Sequence, residues 1–268
     1  MSGGVSIDYA HARASARLGQ RPDDRLWQQL RASRRIPALL DAVRASPAAA
    51  YVSGVDARAS LDGIELALRQ QFRLRVDETA QWAPDAWVDA VRWVRPLVDL
   101  PALAHLAAGG TALAWMKKDP ELAPHALLAP AGRLAALRAG PLAPIADALA
   151  ADTITAAGRP PAAATLHPAL AAWEQHWRTL WPAMPQDERT NLDALATLLR
   201  QHQLAFPQSP PSEAPAARAS LGAHLSSLVR RAAAQPAVLF AWLALYALDL
   251  ERLRGEFVAR AAEHSGTA

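Results

Sequence analysis

Histidine is the side chain most able to move protons or bind a metal near neutral pH, and this chain has eight of them. None of them forms an HExxH pair or the close His/carboxylate spacing that is typical of zinc sites. We therefore predict surface or hydrogen-bonded histidines, and no metal. They are His11, His105, His125, His167, His176, His202, His224 and His264.

Other patterns that support catalysis are also missing from the sequence. The glycine pair in Gly109-Gly110-Thr111 lacks the lysine and further glycine of a phosphate-binding loop, and no GxSxG nucleophile motif occurs. Asp147 and Asp152 are spaced wrongly to share the metal-binding face of a helix. The residues therefore predict neither a catalytic site nor a bound cofactor, and we expect a protein that is not an enzyme.

Six of the nine tryptophans form two groups of three, and both groups favour a structural role. One group lies at positions 82, 87 and 93, and the other at 173, 177 and 181. Aromatic side chains at helical spacing more often fill a core than stack on nucleic-acid bases. We therefore predict buried tryptophans.

The charge pattern argues against a nucleic-acid partner. The isoelectric point is about 9.8, but the formal net charge is only +3, and many arginines stand beside acidic residues. Interspersed charges of both signs are typical of a solvated helix face. Only Arg31, Arg34 and Arg35 are concentrated, and they follow a predicted helix, where cations interact favourably with its dipole.

One helical face near the start of the sequence carries a regular ladder of larger side chains. Tyr9, Arg13 and Arg17 recur every four residues, which places them on one side of a helix, with small alanines between them. Nothing in this geometry performs chemistry by itself. This pattern is typical of a helical scaffold whose alanines permit close packing.

Helical periodicity runs through almost the whole chain, so we predict an all-α, multi-helical fold. Asp23 and Ser60 are suited to cap helices, and Pro84 to open one. The prolines and glycines suggest one protein over 1–268 with modules 1–116, 117–205 and 216–268. A proline-rich linker is expected over 206–215.

The absence of cysteine excludes disulfides and is typical of a cytoplasmic protein. The first residues lack the apolar segment of a signal peptide. The longest apolar run, Ala237 to Leu248, ends at Asp249, whereas a membrane span needs about 20 residues. We therefore expect a protein inside the cell that is at most peripheral to a membrane.

The beginning of the chain resembles a known family. Tyr9, Ala12, Arg13 and Arg17 match the Y-x-N-A-R-x-R-x-R opening of the C/d family of V-type ATPase stalk proteins, whose eukaryotic members carry the letter d. His11 stands in place of the asparagine and Ser15 in place of the middle arginine.

Later segments are similar to the same family in the same order. Tyr51 falls on the tyrosine of the segment after the second helix, and Ile64, Glu65, Leu68 and Arg69 resemble the helix that follows. Near the other end, Pro236, Asp249 and Glu251 match the last long helix. The resemblance covers about 1–110 and 215–262.

The resemblance implies a non-catalytic component of the central stalk of a rotary ATPase. Family members are funnel-shaped proteins built from three similar helical modules, with both termini in one subdomain. The implied partners are the central axle subunits and the membrane proteolipid ring, at the cytoplasmic face of the inner membrane. The protein would couple the axle to the ring for proton or sodium transport, without a cofactor.

The residues leave two other classes open. The chain can be a helical scaffold or adaptor unrelated to rotary ATPases, such as an elongated helical stack. It can also be a helical enzyme that binds an acidic substrate through Arg13, Arg17 and Arg69, which requires convergent polar groups in a closed pocket.

Overall fold

The computed structural model describes residues 6–56, 58–151, 167–205, 210, 213–232 and 234–265. Over these residues every regular element is an α-helix or a short 3₁₀ helix, and no β-strand occurs. The prediction of an all-α, multi-helical fold is therefore confirmed. Alanine and leucine dominate the helices, as expected from their high helix propensity.

The chain divides into two compact units. Unit 1 combines residues 1–85 with 220–268, and unit 2 comprises residues 86–219. The first and last helices thus belong to the same unit, as the family resemblance implied. The funnel shape and the three modules stay predictions, and most of the expected linker over 206–215 lies outside the described residues.

Within the described residues, unit 1 contains five complete α-helices and the last two thirds of another, α13 (Ala214–Arg231), within which the boundary between the units falls. A 3₁₀ helix, Pro47–Val52, leads from the third helix toward the fourth. The complete helices are α1 (Ile7–Leu18), α2 (Asp24–Ala32), α3 (Ile36–Arg44), α4 (Leu61–Trp82) and α14 (Ala237–Ser265).

Local side chains explain where these helices begin. Asp23 Oδ1 accepts a hydrogen bond from Leu26 N at 2.8 Å, and Ser60 Oγ accepts one from Gly63 N at 3.3 Å. Each bond satisfies a backbone N–H that has no partner inside its own helix. Both predicted caps are confirmed.

The core of unit 1 forms between α4 and α14, which pack side by side in opposite directions. Glu65 near the start of α4 contacts Arg254 late in α14, whereas the Trp82 ring at the end of α4 lies 6.5 Å from that of Trp242. Helix α1 packs against both helices. Its buried residues are Ala10 and Ala14, whose small side chains permit the close approach that the sequence predicted.

Most of the described helices of unit 2 are short and are separated by prolines or glycines, but its last complete helix has 20 residues. The turn after the helix that ends at Ala107 contains Gly109, whose φ of +78° is readily adopted only by glycine. The complete helices are α5 (Val88–Arg92), α6 (Leu100–Ala107), α7 (Ala114–Lys118), α8 (Ala123–Ala126), α9 (Pro130–Ala139), α10 (Ala143–Ala151), α11 (His167–Thr179) and α12 (Gln186–Ala205).

A pair of tryptophans anchors the core of unit 2. Trp93 Nε1 donates to Trp173 O at 3.1 Å, and Trp173 Nε1 donates to Trp93 O at 2.8 Å. The Trp173 ring stacks on that of Trp177 at 5.5 Å. The prediction of buried tryptophans is confirmed for Trp82, Trp87, Trp173, Trp177 and Trp181, whereas Trp93 is half-buried.

Each unit also contains a buried arginine that binds the carbonyl groups at the end of a helix. In unit 1, Arg260 donates to Arg31 O at 2.9 Å and to Ser33 O at 2.9 Å, after the last turn of α2. In unit 2, Arg133 donates to Gly110 O at 2.6 Å, just beyond the end of α6. Both guanidinium groups satisfy carbonyl oxygens that have no partner within the helix.

Candidate functional site

The ladder on α1 lies beside α4 in unit 1. Arg17 Nη2 donates to Glu78 Oε1 at 2.8 Å, and Arg13 Nη2 lies 3.9 Å from the same oxygen. The Arg13 guanidinium also lies 5.1 Å from the Trp82 ring centre and 5.9 Å from that of Tyr9. Tyr9 itself is 47% exposed, so the ladder begins at the surface of the unit.

Glu78 is the acceptor that gives the ladder its structural role. It also accepts a hydrogen bond from Arg75, one turn earlier on α4. Three guanidinium groups therefore surround one half-buried carboxylate. This arrangement links α1 to α4, and arginines on both helices balance the negative charge of Glu78.

The second cluster joins residues from three distant parts of the sequence. Arg21 binds Asp249 in a bidentate manner, with Nε 2.8 Å from Oδ2 and Nη2 2.7 Å from Oδ1. Tyr51 Oη donates to Asp249 Oδ2 at 2.9 Å. Asp249 is only 3% exposed, so its charge requires these donors. The Tyr51 ring meets that of Tyr246 edge-on at 4.9 Å.

This environment keeps the Tyr51 phenol protonated. Burial and the neighbouring Asp249 carboxylate both raise the pKa of Tyr51 well above its ordinary value. A phenol in this state donates a hydrogen bond but does not act as a base. Tyr51 therefore acts in this cluster as a hydrogen-bond donor to Asp249.

The third cluster connects α4 with α14 through Glu65. Glu65 Oε1 accepts from Arg69 Nε at 2.6 Å, and Oε2 accepts from Arg254 Nε at 2.7 Å. Burial alone raises the pKa of Glu65, but the Arg254 and Arg69 charges outweigh it and hold this pKa below its ordinary value. Glu65 is therefore ionised and shared between two cations.

The structure brings most of the sequence-predicted site residues into contact, although not as one site. Tyr51 meets Asp249, Glu65 meets Arg69, and Arg13 shares Glu78 with Arg17. Glu251 lies half-buried on α14. A role of these residues in binding a partner stays a prediction.

Sequence reasoning does not single out several residues that complete these clusters. In the sequence, Arg21 and Arg254 stand out only as charges near acidic residues. Glu78 has one local signal, Arg75 three residues before it, which is the spacing of an ion pair on a helix. The contacts across helices have no such signal, because their partners are far apart in sequence.

The contacts suit cross-linking of helices better than a reaction. The Glu78, Asp249 and Glu65 carboxylates each accept from two or more donors. In the described ranges, no group of three or more histidine and acidic side chains is placed to hold a metal ion. Three histidines lie within hydrogen-bonding distance of backbone carbonyls, as predicted: His11, His105 and His224.

The combined length and hydropathy of the described helices determine which of them qualify as candidate membrane spans. Within the part of the chain that the structure describes, none combines the length and apolar character required to cross a bilayer. The apolar run at the start of α14 is instead buried in unit 1, with Leu239, Leu243 and Leu245 at most 1% exposed.

The chain was compared with protein-family models, with curated proteins and with solved structures, and no match was found in any of the three comparisons.

Proposed function

We propose that this chain is a non-catalytic helical adaptor of the central stalk of a V-type ATPase. In that role it couples the axle to the membrane proteolipid ring. The proposal rests on the sequence resemblance, and one structural observation supports it most. The residues that carry the resemblance come from both ends of the sequence and take part in contacts between helices of unit 1: Tyr51 with Asp249, Glu65 with Arg254, and Arg13 and Arg17 with Glu78.

A coupling protein has to transmit force without shearing, and the arrangement of α1, α4 and α14 suits this requirement. Along α4, charged or aromatic contacts with α14 occur near the start, the middle and the end of the helix. They are Glu65 with Arg254, Arg75 with the Tyr246 ring, and Trp82 with Trp242. Contacts distributed in this way resist sliding of one helix past another, because several have to break together.

The chemistry of the clusters supports a non-catalytic role. A general acid or base has to exchange its proton with a substrate, which requires an accessible group with a suitable pKa. Asp249 is instead buried beneath Arg21 and Tyr51, and Glu65 is held ionised by two arginines. These carboxylates fit a structural function.

The direct test is reconstitution with the V-type ATPase subunits encoded in the same genome. The full chain, carrying an affinity tag, is co-expressed with the axle subunits and the proteolipid ring. We expect it to elute with both. We also expect ATP-driven ion transport into vesicles to require it, while ATP hydrolysis by the catalytic head continues without it.

A matched pair of variants distinguishes a specific complex from nonspecific capture. Arg17→Ala removes a contact between α1 and α4 and should reduce co-elution, because it loosens unit 1. Arg138→Ala removes an ion pair whose side chains are 56% and 77% exposed, and should leave co-elution unchanged. Transport that proceeds equally well without the chain would refute the proposal. Stable capture of non-rotary proteins alone would favour a general helical scaffold.

A further inference from the structure

Exposed leucines are concentrated in one part of unit 2. Leu113, Leu127 and Leu128 are 50%, 69% and 40% exposed. The helices beside them do have buried apolar faces, which include Trp115 and Leu122. Single exposed leucines are common, but a group of them on one surface marks an interaction site.

Arg133 brings the two leucine-bearing segments together. Its Nη1 donates to Gly110 O at 2.6 Å, and its Nε donates to Leu128 O at 3.1 Å. One guanidinium group therefore holds the loop before α7 against the loop after α8. Helix α7 also packs on α8, and α8 on α9. The three exposed leucines thus lie on two segments that Arg133 and the packing of α7, α8 and α9 hold next to each other.

Two exposed lysines lie on one of these segments, in the helix that begins after Leu113. Lys117 is one helical turn from Leu113, whose carbonyl accepts from Lys117 N at 3.3 Å, and Lys118 follows it. Both side chains are exposed, and neither has an ion-pair partner among the described residues. The nearby acids are engaged elsewhere: Asp119 accepts from Leu122 N, and Glu121 pairs with Arg95 at 2.7 Å.

We infer that Leu113, Lys117, Lys118, Leu127 and Leu128 form a leucine–lysine patch that rests on an anionic bilayer surface. The leucines enter the boundary between headgroups and acyl chains, and the ammonium groups bind lipid phosphates. The inference goes beyond the proposed function, because it assigns a lipid contact to this chain itself.

The position of the apolar side chains favours a bilayer over a partner helix. Leu113 immediately precedes α7, and Leu127 and Leu128 immediately follow α8, so these exposed leucines flank helix ends instead of lining the length of a helix. A groove that receives an amphipathic helix is instead lined along the length of its own helices. Exposed leucines with free cations beside them suit shallow insertion into an anionic interface.

The test measures sedimentation of the full chain with vesicles of phosphatidylcholine, with and without phosphatidylglycerol. We expect binding only to the vesicles that contain phosphatidylglycerol. The double variants Lys117→Glu/Lys118→Glu and Leu127→Ser/Leu128→Ser should each lower the partition coefficient by roughly tenfold, since each removes one of the two attractions. Circular dichroism and thermal melting check that both variants fold like the unmodified chain.

Two controls in unit 1 make the result specific. Arg34→Glu/Arg35→Glu changes the net charge by the same amount at two exposed arginines, and Leu74→Ser removes a leucine that is 58% exposed. Both should retain partition within about twofold of the unmodified chain. An equal loss in these controls, or no binding to phosphatidylglycerol vesicles, would overturn the inference.

A third outcome separates lipid from protein contact. If the patch variants bind vesicles normally but no longer elute with the axle and ring subunits, the patch is a protein-docking surface and the inference is wrong. Failure of the proposed function looks different, because the unmodified chain then fails to elute with those subunits whatever its affinity for vesicles.

Discussion

At the scale of single residues, Gly110 shows how one missing side chain shapes a turn. The His105 ring lies against it, so that an alanine Cβ at position 110 would be 2.3 Å from His105 Cε1. His105 Nε2 also lies 2.9 Å from Thr111 O, which fixes the ring in place. The glycine pair that resembles part of a phosphate loop in the sequence therefore has a packing role.

We predict that Gly110→Ala lowers the free energy of unfolding by about 1–3 kcal/mol, because His105 has to move and lose its contact with Thr111 O. Urea denaturation measures this change. Gly132→Ala is the matched control, since its Cβ meets no atom within 4 Å inside α9 and should stabilise the chain by about 0.5–1 kcal/mol. Equal effects of the two substitutions would contradict this account.

Residues with local partners could be predicted from the sequence, and residues with distant partners could not. The caps at Asp23 and Ser60 bind N–H groups three residues ahead, which is a spacing visible in the sequence. Arg17 binds Glu78 across 61 positions, and Arg21 binds Asp249 across 228. Helical periodicity fixes which face a side chain occupies, but not which helix packs against that face.

At the scale of helices, Arg260 completes the end of α2 from another helix. Its guanidinium donates to Arg31 O and Ser33 O, and Nη1 also binds Glu256 Oε2 at 2.6 Å. Helix α2 ends without a glycine in the usual C-terminal position. A buried cation from α14 therefore takes the place of a local capping residue.

We predict that Arg260→Met lowers the free energy of unfolding by about 2–4 kcal/mol, because the carbonyls at the end of α2 and Glu256 Oε2 lose a donor. Arg260→Lys should lose roughly half as much, since it keeps the charge but not the planar set of donors. Chemical denaturation of both variants checks this order.

The exposed ion pair between Arg138 and Asp147 supplies the control for this series. Arg138→Met should change stability by less than about 0.5 kcal/mol, because the side chains of the pair are 56% and 77% exposed. If Arg260→Met were as mild as this control, the capping role of Arg260 would be refuted.

Helix boundaries were predictable where a side chain marks them. The segment after Pro84 shows where this fails. Its proline favours the first turn of an α-helix, but the structure has a 3₁₀ turn, Asp85–Trp87, followed by the short helix α5. Trp87 is buried, and a 3₁₀ turn alters the direction of its side chain relative to an α-helix. Packing of an aromatic residue thus decides the local geometry.

At the scale of the whole molecule, basic and acidic charges nearly balance, with 28 basic and 25 acidic residues. The buried or half-buried ion pairs of unit 1 use arginine as the cation, which remains protonated at any ordinary pH. The carboxylates are therefore the groups whose titration changes stability on the acidic side.

We predict that stability falls as the pH is lowered through the acid range. The folded-state pKa of Glu65 lies below its unfolded value, so Glu65 stabilises the fold above the unfolded pKa of about 4.3 and loses this contribution as the pH falls through the folded pKa. Urea midpoints recorded from about pH 7 to pH 3 measure the loss.

Glu65→Gln supplies the comparison for this pH series. At pH 7 it should be about 2 kcal/mol less stable than the unmodified chain, because Arg69 and Arg254 lose a charged acceptor. The difference should shrink as the pH falls, since protonation neutralises Glu65 in the unmodified chain too. A difference that stays constant across the range would contradict the assignment.

The all-α class was predictable because composition and period agree along nearly the whole chain. Composition and period did not predict the division into two units, because unit 1 joins 1–85 with 220–268 across the intervening unit, and only the family resemblance implied that both termini share one subdomain. Tyr51 and Asp249 show the reason. Each lies in or beside an apolar segment, and each segment on its own predicts buried residues. Only the hydrogen bond between Tyr51 and Asp249 shows that the two segments belong to one core.

The two exposed lysines of α7 have a practical consequence for chemical labelling. Lys117 and Lys118 are the only lysines in the sequence, so they carry its only side-chain primary amines. An acylating reagent will therefore modify the side chains of one short helix, and a lysine-specific protease can cut only there. Without introducing a cysteine into a chain that has none, side-chain labelling with a fluorophore can thus be directed to this surface of unit 2.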